Sequence, residues 1–301
     1  MRYFALTDLL GETERSGEVR DAKKQIPKGA RLRTLLSDQR ADGGFGVHWY
    51  KKWAGATWRL VSAVELGVPP ESTVARRAAN HVLSRLPLAR VEPHKIRGRF
   101  RLHASVIGNP LGVAARLGMA DDPRARQIAH SLARWQWPDG GWNCDSSEVA
   151  CHSSFYETLA TLWGLNEYLR VTNDDDIRLA VDRAAELFLK HRLFRSCHGD
   201  TVIDPRWIRL HYPLYWHYDI LQALRVLERV GKLSDPRTRE ALDLIESKRA
   251  KDGTWHVEGR FWRRGRVNAA NTEVVDWGRD GPNEMITLNA LRVLVGSGRI
   301  S

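Results

Sequence analysis

A chain of 301 residues with 43% hydrophobic residues and twelve tryptophans can bury a sizeable core, which excludes wholesale disorder. No apolar run reaches the roughly 18 residues that cross a bilayer, and three cysteines fit free thiols better than a disulfide framework. The formal net charge of +11 favours an anionic partner, whether a diphosphate, a nucleic acid or the cell's anions at large.

Met1 to Leu10 lacks the long apolar stretch and small-residue cleavage site of a secretory signal, so a cytoplasmic location is expected. Leu6 to Leu10 predicts a short first helix, followed by a polar lead-in through Lys28. Leucines at 32, 35 and 36 predict a helix across 31–40. Another opens at His48 with Trp49 and Trp53 and runs to Leu66, where Gly67, Pro69 and Pro70 stop it. Ser72 to Leu86 is amphipathic, with arginines on one side, and belongs outside. A long basic loop from Pro87 to Arg101 carries Arg90, Lys95, Arg97, Arg99 and Arg101. His103 to Leu117 is an apolar helix kinked at Pro110 and capped by Gly118. Asp122-Pro123 starts an amphipathic helix, Ser153 to Leu169 an apolar one, and Asn173 to Phe194 another amphipathic one. His211 to Val230 is apolar and aromatic, and Asp235 to Ala250 is amphipathic. An arginine- and aromatic-bearing excursion from Glu258 to Gly281 precedes a last helix, Asn283 to Val295.

Three turns between these helices repeat. Gln39-Arg-Ala-Asp42-Gly43-Gly44-Phe45 matches Gln136-Trp-Pro-Asp139-Gly140-Gly141-Trp142 position for position, and Asp252-Gly253-Thr254-Trp255 keeps the Asp-Gly pair and the aromatic. The Asp-Gly pairs stand 97 and 113 residues apart, each near twice a unit of about 50 residues, a period typical of helical repeats. The motif resembles the Gln-x-x-Asp-Gly-x-Trp turn of the terpenoid-cyclase and protein-prenyltransferase superfamily, and the chain looks most similar to the short bacterial squalene-cyclase-like proteins. The resemblance implies an all-α fold, an α/α toroid of about five to six helical hairpins. It would occupy 1–301 as one domain, with 1–28 as lead-in and 29–295 as repeats. The turns themselves read as structural: the glycine allows positive φ and the Asp caps nearby amides.

A closed ring brings the starts of the inner helices to one mouth of a central cavity. Those starts carry His48, His103, His152 and His211, spaced by 55, 49 and 59 residues, with His217 and Asp219 beyond the last. Trp53, Phe155, Tyr215, Trp216 and Tyr218 supply the aromatic walls of a concave, mostly apolar pocket. His217, Asp219, His152 and Asp145 are the acid-base candidates, and His103, His211 and Glu284 add polar groups to the binding set. A buried carboxyl between aromatic walls would have its pKa raised, which suits a general acid. Asn173-Asp174-Asp175-Asp176 departs from the Asp-x-Asp-Asp acid element that the resemblance would call for, and reads as a helix cap.

Soft thiolates beside imidazole are zinc ligands, so Cys151, Cys197 and His198 form a candidate metal set, although no cofactor is expected outright. Zinc-bearing toroids that the chain resembles space their ligands differently, with an Asp-x-Cys in the prenyltransferases. Arg97-Gly-Arg99-Phe-Arg101 and Arg260-Phe-Trp-Arg-Arg-Gly-Arg266 could clamp phosphate or stack on bases, but no nucleic-acid-binding motif accompanies them. Three functions follow. The first is a terpenoid-cyclase-like isomerase, lyase or transferase holding a hydrophobic, isoprenoid or diphosphate-bearing ligand. The second is a zinc- or histidine-dependent enzyme on a polar substrate. The third is a non-catalytic module for an anionic lipid, peptide or nucleic acid.

Overall fold

The Asp-Gly turn is where the sequence constrains local structure most tightly. In the computed structural model, which describes residues 1–86, 92–266 and 269–300, Gly43, Gly140 and Gly253 have φ of 85°, 101° and 84°. At Gly140 a Cβ would also collide with the Arg183 carbonyl of the neighbouring outer helix, so only glycine fits. Asp42 and Asp252 accept from the amides of Gly44 and Thr254 at 2.9 and 3.0 Å. Asp139 reaches forward instead and holds the Ser153 amide and hydroxyl. The glutamine ahead of the turn is a clamp. Gln39 Nε2 donates to Gly43 O and Val74 O at 3.1 and 2.9 Å; Gln136 Nε2 donates to Gly140 O and Ala180 O, both at 2.8 Å. Trp142 and Trp255 are fully buried, and each indole N–H donates to a carbonyl ten residues back, Leu132 and Ile245.

The chain opens with one helical turn, α1 (Arg2–Phe4), a π-turn (Ala5–Leu9), α2 (Gly17–Gln25) and a 3-10 turn (Ile26–Lys28). Outer and inner helices then alternate. The outer ones are α3 (Ala30–Leu36), α5 (Thr73–Leu83), α7 (Pro123–Arg134), α9 (Asp175–Lys190) and α11 (Arg239–Ser247). The inner ones are α4 (Ala56–Glu65), α6 (Ala104–Arg116), α8 (Phe155–Thr172), α10 (Ile220–Val230) and α12 (Glu284–Gly296). A two-stranded hairpin, β1 (Lys95–Ile96) and β2 (Arg99–Phe100), is the only sheet among the described residues. The protein is all-α, and among the described residues no helix is long and apolar enough to cross a membrane.

Inner helices pack in succession, α4 on α6, α6 on α8, α8 on α10 and α10 on α12, and α5, α7, α9 and α11 each bridge two consecutive inner helices. The ring closes where α12 packs on the N-terminal π-turn and Arg31 of α3 pairs with Glu284 of α12. The result, among the described residues, is an α/α toroid of five hairpins. Its tightest seam joins α6 to α8, where a Cβ on Gly108 would lie 2.7 Å from the Thr161 Cα and Gly164 abuts the Gly108 backbone. One hydrophobic core runs round the ring, and a satellite cluster of Leu6, Val19 and Ala22 with Tyr3 lies in the N-terminal arm.

The structure corrects several expected boundaries. The polar lead-in before Lys28 contains α2, whose sequence is too polar to show an apolar stripe. His48 to Gly55 and His211 to Asp219 are turns and loop, so α4 and α10 start eight or nine residues later than the aromatic pattern predicts. Dense aromatic residues fit an apolar helix and a packed loop equally well, and sequence periodicity cannot separate the two. Pro110 sits inside α6, and the helix runs through it. Arg90 of the expected basic loop lies outside the described residues.

Candidate functional site

All five inner helices line one cavity of about 1090 Å³ on the ring axis, and the N-terminal arm covers its far side. The cavity lies toward the C-terminal ends of α4, α6 and α10, not at the mouth where the inner helices start. Its position follows from the polar stripe of α10. Ile220, Leu221, Ala223, Leu224 and Leu227 enter the core, which leaves Gln222, Arg225 and Arg229 on the axial face. On α12, Met285, Asn289 and Arg292 share a face in the same way. Trp163 of α8 stands in the wall because Gly112 of α6 gives its ring room. Tyr3, Phe4 and Ile26 of the arm complete an apolar side.

The floor is the end of α4, where the Tyr212 hydroxyl donates to Glu65 Oε2 at 2.7 Å. Burial raises the Glu65 pKa, against the pull of the Tyr212 bond and of Arg225, Arg292 and Arg116. Burial likewise pushes the Arg225 guanidinium down to about 10, and the like charge of Arg292 adds to it. Arg225 pairs with Glu228, and Arg292 holds Asp8 of the arm at 2.5 Å and stacks over Phe4 at 4.6 Å. Arg116 and Arg229 share a single carboxylate, Glu167, at 3.6 and 2.5 Å. Besides Glu65, the lining carries five arginines and two lysines against the three carboxylates Asp8, Glu14 and Glu71. Beneath Glu65 lies a second chamber of about 40 Å³, enough for a water, into whose lining the unpartnered Asn109 amide falls.

Most of the aromatic residues named from the sequence do meet, as a packed plug on the axis. Trp53 stacks on Tyr215 at 3.8 Å, and His217 stacks on Phe261 at 3.5 Å and on Trp216 at 4.2 Å. His211 packs on the other side, 4.5 Å from Phe261. Tyr215 donates to buried Glu273, and burial takes the His217 pKa down to about 4. Phe155 and Tyr218 belong to a neighbouring core cluster with Trp207 and Phe188.

The remaining candidates are dispersed. Asp219 is fully buried but serves as the N-cap of α10, accepting from the amides of Gln222 and His211 at 2.9 and 3.1 Å. Asp145 and His152 are exposed in the loop before α8, where Asp145 accepts from the Ser147 amide. Glu284 is exposed on the outside beside Arg31. Cys151, Cys197 and His198 are all exposed and do not converge; the polar side chain nearest Cys197 is His191, at 3.4 Å. His103 and Cys144 instead gather at Glu157, a residue of the first turn of α8 that no sequence motif marks. The Glu157 bond raises the His103 pKa, while burial, then the Glu157 charge, pushes the Cys144 thiol up to about 11. Asp174 caps α9, as the sequence predicts. Arg263 and Arg264 are tied to the carbonyls of Ala270 and Val274 within their own excursion, and Arg101 lies buried over Trp137 at 4.5 Å.

No protein-family model matches the chain, and no curated protein matches its sequence. Among solved structures, a protein from Actinoplanes is 15% identical, covering 98% of this chain and 89% of its own at a TM-score of 0.44. The type II terpene cyclase MstE from Scytonema, with merosterolic acid A bound, is 16% identical over 93% of this chain and 99% of its own at 0.33. The same enzyme with geranylgeranyl dihydroxybenzoate is 15% identical over 94% and 100%, again at 0.33.

Proposed function

We propose that the protein binds an isoprenoid-type molecule, apolar along its chain and anionic at its head, in the axial cavity, and that Glu65 gives it a proton. One observation carries the reading: a carboxyl with a raised pKa stands on the floor of a large cavity that has both aromatic walls and an excess of arginine. The isoprenoid class comes from the turn motif; the anionic head comes from the arginines, since guanidinium pairs well with phosphate. Proton transfer from Glu65 to a carbon–carbon double bond would form a C–H bond and leave a carbocation and a carboxylate. Trp163, Tyr3 and Phe4 offer ring faces to such a cation. Loss of a proton back to the site restores Glu65, so the net change is an isomerisation without oxidant or reductant.

The test is incubation with farnesyl and geranylgeranyl diphosphate in D2O. The reading expects a product carrying one solvent deuterium per proton-initiated event, absent with Glu65→Gln. Binding without product would support the non-catalytic module instead; no binding of either compound contradicts the proposal.

A further inference from the structure

The loop before α8 and the start of α6 bring together a set of donors that plays no part in the axial cavity. A bridge between Arg101 and Asn143, in which the Leu102 amide donates to Asn143 O at 3.1 Å, runs the two segments side by side and sets Cys144 next to His103. The glycine seam between α6 and α8 then brings Glu157, in the first turn of α8, against the first turn of α6. There its Oε2 accepts from the Ser105 amide at 2.8 Å while Oε1 lies 3.3 Å from His103 Nδ1. One donor atom each from His103, Cys144 and Glu157 thus lies within 4.8 Å of the others. Backbone geometry on all three segments holds the set: a strand bridge, a helix N-cap and a helix–helix close approach.

We propose that His103, Cys144 and Glu157 form a zinc site. The donor chemistry selects the metal. One sulfur and one imidazole nitrogen disfavour magnesium and calcium, which take oxygen, and sulfur, nitrogen and carboxylate together suit a tetrahedral zinc ion. Three protein ligands leave the fourth position to solvent, and the His103 side chain, 70% exposed, keeps that position open to the outside. The Ser105 amide on Glu157 Oε2 fixes the carboxylate so that Oε1 is the free ligand, the outer support that such ligands usually have. Zinc binding replaces the protons on the Cys144 thiol and on any charged His103 with the metal, with no change of oxidation state. The site sits at the opposite end of α6 from Arg116, roughly 20 Å along its 13 residues, and shares no residue with the axial cavity. Its fate is therefore independent of the isoprenoid reading.

The experiment is metal analysis and cobalt substitution on the full chain, with Cys144→Ser and His103→Ala as the disrupting variants and Cys151→Ser and Cys197→Ser as controls. The native protein is expected to hold about one zinc per chain after dialysis against excess zinc and then metal-free buffer. Its cobalt form should show a thiolate-to-cobalt charge-transfer band in the near ultraviolet. Cys144→Ser should abolish the band, His103→Ala should lower cobalt affinity at least about tenfold, and both controls should keep it. His103 is exposed, so that variant reports on binding even should Cys144→Ser fold poorly. A native protein that retains no zinc and gives no charge-transfer band overturns the proposal; so does a band that survives Cys144→Ser or vanishes with Cys151→Ser or Cys197→Ser.

Discussion

The Tyr212 hydroxyl donates to Glu65 across the floor of the axial cavity at 2.7 Å, and this bond joins the loop before α10 to the last residue of α4. Glu65 is thereby held by a neutral donor and kept out of direct ion pairing, although Arg225 and Arg292 are near enough to pull its pKa down. The donor leaves its other oxygen free to face a ligand.

Glu65→Gln should keep the Tyr212 bond, because the amide oxygen accepts in the same place. The raised pKa also gives a sign for stability. As pH climbs past the ordinary carboxyl range, the unfolded chain loses its proton first, so this group's contribution to native stability falls with rising pH. Urea denaturation of Glu65→Gln should show no such loss and equal or greater stability than the native protein at pH 7. A marked destabilisation would mean that Glu65 is ionised in the fold.

His217 has the opposite sign. Its pKa is lowered to about 4 by burial, with Lys52, His211 and Arg206 adding like charge. Between pH 6.5 and 4 the unfolded chain takes up a proton that the folded one refuses, so stability is lost as pH falls, by on the order of 3 kcal/mol. His217→Phe preserves the stack on Phe261 and Trp216 and should flatten the pH dependence of the denaturation midpoint in that window. An unchanged slope would place the imidazole in water.

Arg225→Met removes charge from the cavity while conserving most of the side-chain volume. Affinity for farnesyl diphosphate should drop about tenfold or more, the loss of a charge-assisted hydrogen bond, while affinity for farnesol changes little. Calorimetric titration of both compounds measures the difference. Equal losses for both would mean that the residue shapes the cavity and does not read charge.

The glutamine clamps predict an effect on stability alone. Gln136→Ala gives up bonds to Gly140 O and Ala180 O and should cost about 2 kcal/mol in a denaturant titration, with Gln39→Ala close behind. Gly140→Ala should cost more, since it meets both the φ of 101° and the Arg183 backbone. Ligand affinity of the variants that still fold should be unchanged.

The ring was legible because its turns repeat: Asp42, Asp139 and Asp252 with their glycines announce three outer-to-inner connections, and helical spacing supplies the rest. The cavity was not. Arg225, Arg229 and Arg292 look like ordinary solvent-facing arginines until the ring closes and turns the polar stripes of α10 and α12 inward. An inner helix with a polar face at positions 222, 225 and 229 was the available signal, since such a face in a closed ring must look onto an internal space. The aromatic run from Tyr212 to Tyr218 misled in the other direction: its density fits a pocket wall, but Trp53 and Phe261, distant in sequence, stack into it and fill the mouth. His103 is a candidate from the sequence, but only the Arg101–Asn143 bridge and the α6–α8 seam bring Cys144 and Glu157 to it.

The most direct test of the axial-cavity account is a crystal structure of the protein with geranylgeranyl diphosphate. In that crystal the prenyl chain should run along Trp163 and Met285, with its head group within hydrogen-bond reach of Arg225 or Arg292 and the Glu65 carboxyl against the chain. A ligand bound at the plugged mouth beside Trp216 and His217, with the axial cavity holding only water, would contradict it.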